Sequence, residues 1–81
     1  MSDAHTIEAA IRRVLAARDG TTCCPSEVAR ALDSEGWRSL MTPVRAVARE
    51  LEQRGELQIL QRGRVVDGAR ARGPIRLRLP P

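Results

Sequence analysis

Apolar residues recur along this chain first at helical spacing and then at strand spacing. Ile7, Ala10, Ile11, Val14 and Leu15 fall at i, i+3, i+4, i+7 and i+8, one stripe that predicts a helix over residues 4–18. Ser2 or Asp3 can cap its start, and Gly20 suits the left-handed position past its end. Arg12, Arg13 and Arg18 lie off the stripe and read as a solvated face, with Glu8 and Arg12 spaced as an i,i+4 ion pair. Thr21-Thr22-Cys23 is short and β-prone, the place for a first small strand. Pro25 opens a second helix, predicted over 25–35. Its missing N–H costs nothing at the first helical position, and Ser26 and Glu27 place a hydroxyl and a carboxylate in the positively charged first turn. Val28, Ala29 and Leu32 face inward, and Gly36 stops the helix.

A third helix is predicted over 43–54, from the cap-plus-proline start Thr42-Pro43 to Gly55. Val44, Val47, Ala48 and Leu51 form its buried stripe, while Arg45, Arg49 and Gln53 recur at i, i+4 and i+8 on the outward side. Glu50 is spaced to pair with Arg54. Over 57–79 the period drops to two. Leu57 and Ile59, then Ile75, Leu77 and Leu79, alternate with polar residues as half-buried antiparallel strands require, and Arg76 and Arg78 point outward together. Gln61 to Gly73 reads as a long, glycine-rich wing tip, with Val65 and Val66 extending the first strand. Pro80-Pro81 cannot continue a ladder. Three helices followed by a C-terminal β-hairpin make an α+β winged helix-turn-helix, expected as one domain over 1–81.

Trp37 is the chain's only aromatic residue. With Leu40 and Met41 it is expected in a turn packed under the helix junction, a better use of so large a ring here than stacking on a base. Arg38 beside it either braces that turn or reaches a ligand.

The cysteines exclude several classes. Cys23 and Cys24 are adjacent, and neighbours rarely reach disulfide geometry. One vicinal pair and a distant His5 do not complete a tetrahedral zinc site, so neither a metal nor another cofactor is expected. Reduced thiols, no apolar run long enough for a membrane span and a polar N-terminus point to a cytoplasmic protein with no membrane partner. No phosphate loop, nucleophile elbow, HExxH or CxxC is present, and so small a domain leaves little room for a substrate pocket, so an enzyme is not expected.

Charge changes the picture more. The net charge is +4, but residues 1–60 carry eight Arg against nine Asp and Glu, whereas residues 61–81 carry six Arg against Asp67 alone. The excess sits on the wing and tail. All fourteen cations are Arg and none is Lys, beside eleven Ala, the bias of G+C-rich coding, so position carries more weight than count. A recognition helix would present Arg45, Arg49 and Gln53, with Arg38 nearby, to base edges or phosphates. The wing would present Arg62, Arg64, Arg70, Arg72, Arg76 and Arg78 to phosphates or a narrow minor groove. Duplex DNA is then the expected partner and a regulatory role the expected use, by a monomer or weak dimer. The alternative is an adaptor that binds an unidentified protein, because the helix over 43–54 offsets three Arg with two Glu. Phosphate binding collapses as salt rises, whereas an apolar-cored protein interface mostly survives.

Four stretches carry a family resemblance: Cys24-Pro25-Ser26-Glu27-Val28-Ala29-Arg30; Trp37-Arg38-Ser39-Leu40-Met41 with Val44-Arg45; Gly55-Glu56-Leu57 with Gln61-Arg62-Gly63; and Arg72-Gly73-Pro74-Ile75-Arg76-Leu77. Together they resemble a small bacterial family of uncharacterised winged-helix proteins, a domain of unknown function, from about Ile7 to Leu79. Arg62 stands where many relatives carry Lys. The resemblance implies a stand-alone cytoplasmic winged helix and no particular activity. Trp37, Pro25 and Gly73 read as fold residues, and Arg38, Arg45 and Arg76 as the better functional candidates.

Overall fold

Ile7, Ala10, Ile11 and Leu15 are buried along one side of α1 (Ala4–Ala17) in the computed structural model, which describes residues 3–18 and 21–81. The Asp3 carboxylate accepts from the Thr6 N–H at 2.8 Å and caps the helix. The alternative cap Ser2, and Gly20 past the helix end, lie outside the described residues. α2 spans Pro25–Leu32, with Pro25 and Glu27 in its first turn, and ends short of the predicted residue 35. The reason is Asp33. It takes an extended backbone, and its carboxylate accepts from the N–H groups of Glu35 (3.1 Å) and Gly36 (2.9 Å), breaking the helix in an Asx turn before Gly36 is reached.

α3 runs Trp37–Gln53, so the start expected at Thr42-Pro43 is interior to one longer helix. Pro43 lacks the N–H that would return to the Ser39 carbonyl. The turn ahead of it holds because the Ser39 hydroxyl and N–H both donate to the Gly36 carbonyl, at 2.8 and 3.2 Å, while Trp37, Leu40 and Met41 pack against the core. At the other end the Gly55 N–H returns to the Glu52 carbonyl and the Glu56 N–H to that of Leu51, a Schellman closure.

β1 (Gln58–Gln61), β2 (Arg64–Val66) and β3 (Arg76–Arg78) form an antiparallel sheet in the order β2-β1-β3. Arg62 and Gly63 make the two-residue turn between β1 and β2, with φ of +52° and +79°. Two left-handed residues are what the I′ connection demands, and its twist matches the strands it joins. Val65 and Val66 therefore do not extend the first strand. They fold back on it, opposite Leu60 and Ile59. Thr21–Cys23 contributes only a bridge, Cys23 to Leu77 on β3, closed by backbone hydrogen bonds of 3.0 and 2.7 Å. Leu79 lies past β3 and is 37% exposed, because the terminal prolines carry no donors for a longer ladder. Three helices leading into this sheet, with the wing hairpin between β1 and β2, constitute an α+β winged helix.

The core is one cluster where the helices meet the inner sheet face. Ile11, Val28, Ala29, Val44, Ala48, Ile59 and Leu77 have no exposed surface. Val14 and Leu32, from the predicted stripes, are partly buried against it. Among the described residues no helix is long and apolar enough to cross a membrane.

Candidate nucleic-acid interface

Extending α3 back to Trp37 changes which residues share its outer face. Arg38, Thr42, Arg45, Arg49 and Gln53 follow one another at spacings of four, three, four and four residues, a continuous helical stripe. Arg38, assigned from the sequence to a separate turn, opens that stripe. Thr42, missed as a surface residue because it was read as a cap, lines a shallow hollow of about 250 Å3 with Arg45, Ala46 and Arg49. The Arg38 guanidinium lies over the Trp37 ring at 4.5 Å and that of Arg30 at 4.3 Å, so the partly buried indole spaces two cations at the α2–α3 corner. Glu50 follows Arg49 and lies about 100° further round the helix.

The segment between β2 and β3, within the stretch read as a glycine-rich wing tip, is a strap held at three points. The Gly68 N–H donates to both Glu52 carboxylate oxygens (3.1 and 3.3 Å), which ties it to α3. The Gln61 side-chain amide donates to the carbonyls of Arg72 (2.6 Å) and Pro74 (3.1 Å). Arg45 donates to the Gly73 carbonyl at 3.0 Å. Neither Gln61 nor Glu52 carries a sequence signal for this role, since both act across the fold on backbone groups. Gly68 is buried because the strap passes close to Ile59 and Glu52 with no space for a side chain.

Strap and hairpin enclose an open groove of about 900 Å3, walled by Arg62 and Arg64 on one side and Arg72 and Arg76 on the other. The wing's own turn and crossover create this concavity, which is open to solvent along its length. The floor is apolar where Val66 and Ile75 reach it. Arg76 is braced by Thr22, donating to its hydroxyl at 2.9 Å and its carbonyl at 3.2 Å. Arg78, two residues on, is clamped to the Gln58 side-chain oxygen (2.6 and 3.0 Å) and lies outside the groove. Arg70 sits beside Asp67 at 3.8 Å, the one predicted wing cation with a carboxylate neighbour among the described residues. Gln53 is exposed at the end of α3, away from the groove lining.

Four of the ion pairs lie away from this face. Glu8 and Glu56 pair with Arg12 and Arg54 where α1 meets the end of α3, at 3.0–3.3 Å apart from the closest contact, Arg12 to Glu56. Arg54 therefore does not pair with Glu50 as predicted; the fold offers it two acids at once. Arg18, from the face read as solvated, binds Glu27 at 2.7 Å. Hydrogen bonding to the Arg54 guanidinium, and then to that of Arg12, outweighs the opposing effect of burial and holds the Glu8 carboxyl below its ordinary value. Among the described residues Arg45, Arg49, Arg62, Arg64, Arg72 and Arg76 have no carboxylate partner.

The thiols stand apart from this face. Cys23, bridged to β3 at the sheet edge, is buried in the core, and its thiol is pushed up to about 11, chiefly by desolvation and then by the Glu27 charge. Cys24 stands at the N-terminal boundary of α2 without a side-chain cap to its backbone, its sulfur 3.0 Å from the Ser26 hydroxyl. Among the described residues no group of three or more His, Cys, Asp or Glu side chains is placed to hold a metal ion.

Residues 4–80 match the model of a family described as a protein of unknown function (DUF3253), and the chain belongs to that family. No curated protein matches the chain.

Proposed function

We propose that this winged-helix member of a family of unknown function is a cytoplasmic duplex-DNA-binding protein that acts by binding rather than catalysis. α3 would lie in the major groove and the Arg-walled wing groove against the adjoining phosphate strand. The observation that carries the reading is charge segregation on a winged-helix frame. Acids are neutralised where α1 meets the end of α3, while the α3 stripe and the wing groove meet at the Arg45–Gly73 contact with six arginines free of carboxylates. Like charges gathered on one edge raise a positive potential that a polyanion relieves. The residue types suit the partner, since Arg contacts guanine edges and phosphates and Thr contacts either bases or backbone.

The test is a titration of a labelled random-sequence duplex of about 25 bp at low salt, with the wild-type chain and an Arg64→Ala/Arg72→Ala variant. Micromolar affinity, weakened about tenfold in the variant at unchanged thermal stability, supports the reading. Absence of wild-type binding at low salt refutes it and turns the search to a protein partner.

A further inference from the structure

The wing turn holds an arginine where the backbone favours another residue. In a two-residue I′ connection both central positions are left-handed, and Asn, Asp or Gly serve there with least strain. Gly63 fits the second position at φ +79°, but the first is Arg62 at φ +52°. Among the described residues Arg62 is the sole non-glycine with positive φ. A long, charged side chain at a strained position calls for a use that the fold does not supply. Neither the Arg62 nor the Arg64 side chain has a carboxylate or hydrogen-bond partner among the described residues, and both residues are exposed. Between them Gly63 presents no side chain and faces open space. The hairpin thus ends in two free guanidinium groups flanking a bare backbone.

We infer that the Arg62-Gly63-Arg64 turn enters the minor groove of duplex DNA and selects A·T-rich sequence beside the site taken by α3. The inference rests on the DNA-binding reading and specifies what its wing reads. The molecule's principal extents of 31 × 26 × 22 Å exceed the half-turn of about 17 Å between successive grooves along one side of a duplex, so a molecule of this size can span both. The minor groove, about 6 Å wide, excludes a strand ribbon yet admits single side chains. A·T tracts narrow it further and deepen its negative potential, which draws arginine in, whereas the guanine 2-amino group obstructs the floor of G·C tracts. Arg72 and Arg76, on the other wall of the wing groove, would then face the phosphates bordering that minor groove.

The experiment compares three duplexes of equal length and charge: A·T-tract, G·C-tract and inosine·cytosine-tract. Inosine·cytosine pairs keep the major-groove edge of G·C but carry the minor-groove edge of A·T. The wild-type chain is expected to bind the A·T and inosine·cytosine duplexes about fivefold tighter than G·C. Arg62→Asn places a residue suited to the turn, so its thermal midpoint should equal or exceed that of the wild type. Both Arg62→Asn and Arg64→Ala should reduce the preference to under about twofold while residual binding to all three duplexes persists. Equal wild-type binding to the three duplexes overturns the inference and leaves the DNA reading standing. So does an inosine·cytosine duplex that ranks with G·C, because the discrimination would then come from the major groove. Failure to bind any duplex at low salt overturns both.

Discussion

Gly68→Ala should destabilise the fold although its backbone conformation admits alanine. A methyl group at residue 68 would run into Ile59 Cδ1 and lie 2.8 Å from Glu52 Oε1, with Arg49 Cγ at 3.4 Å. Ends of side chains can often swing aside, but these two are committed. Ile59 has no exposed surface and sits in the core, and the Glu52 carboxylate is held by the Gly68 N–H itself. Overpacking of this kind costs about 1–3 kcal/mol. Loss of the charged hydrogen bond would add about 1.5–3 kcal/mol if the strap lifts away. Against a total of about 4–12 kcal/mol for a chain of this length, either is a large fraction. At about 4–8 °C per kcal/mol, the thermal midpoint should fall by roughly 5–20 °C. Far-ultraviolet circular dichroism followed through heating and through urea measures it. A fall below about 3 °C with unchanged urea midpoint would show that the strap does not pack on α3 as described. Glu52→Gln separates the two contributions, since it keeps the space and weakens only the bond.

Three further outcomes follow from the same geometry. Glu8, held below its ordinary value first by Arg54, contributes stability that is complete above its unfolded-chain value near 4.5 and is lost as pH falls through the lower folded value; Glu8→Gln should flatten the acid limb of a stability-against-pH curve below about pH 5, and an unchanged limb would contradict the pairing. Cys23 is sealed in the core with its thiol near 11, so iodoacetamide at about pH 8 should add one group to the native chain, on Cys24, and two after unfolding, read by mass spectrometry. Arg45→Ala and Arg49→Ala should weaken DNA binding in a sequence-dependent way, whereas Arg54→Ala, whose guanidinium is spent on Glu8 and Glu56, should leave affinity within about twofold.

The helices and the core were legible because amphipathic periodicity is a local property. Val44, Val47, Ala48 and Leu51 are buried as their spacing predicts, and so are Ile59 and Leu77 on the strands and Leu57 and Ile75 just ahead of them. The boundary at Thr42-Pro43 misled because cap-plus-proline is a common start, while the contacts that keep the preceding turn helical come from Gly36 and from Trp37 packing against the core. Leu60 is buried though strict alternation assigns it to the solvent face; it lies between Val65 and Arg76 on the neighbouring strands, a pairing visible only once the chain turns at Arg62-Gly63. The arginines of the site were all visible in the sequence, but their distribution was not. Which cations are spent on carboxylates, as Arg12, Arg18 and Arg54 are, depends on long-range approach of Glu56, Glu27 and Glu8. The strap belongs to the same category, since Gln61, Glu52 and Arg45 hold backbone groups distant in sequence.

The central claim is that the α3 stripe and the wing groove form one phosphate-binding face. The measurement that tests it most directly is the salt dependence of affinity for a random-sequence duplex, by fluorescence anisotropy between about 50 and 200 mM monovalent salt. Four to six phosphate contacts predict a slope of log affinity against log salt between about −3.5 and −5.5, falling by about one unit in Arg72→Ala. Binding with a slope flatter than about −1, or none at the lowest salt, would contradict it.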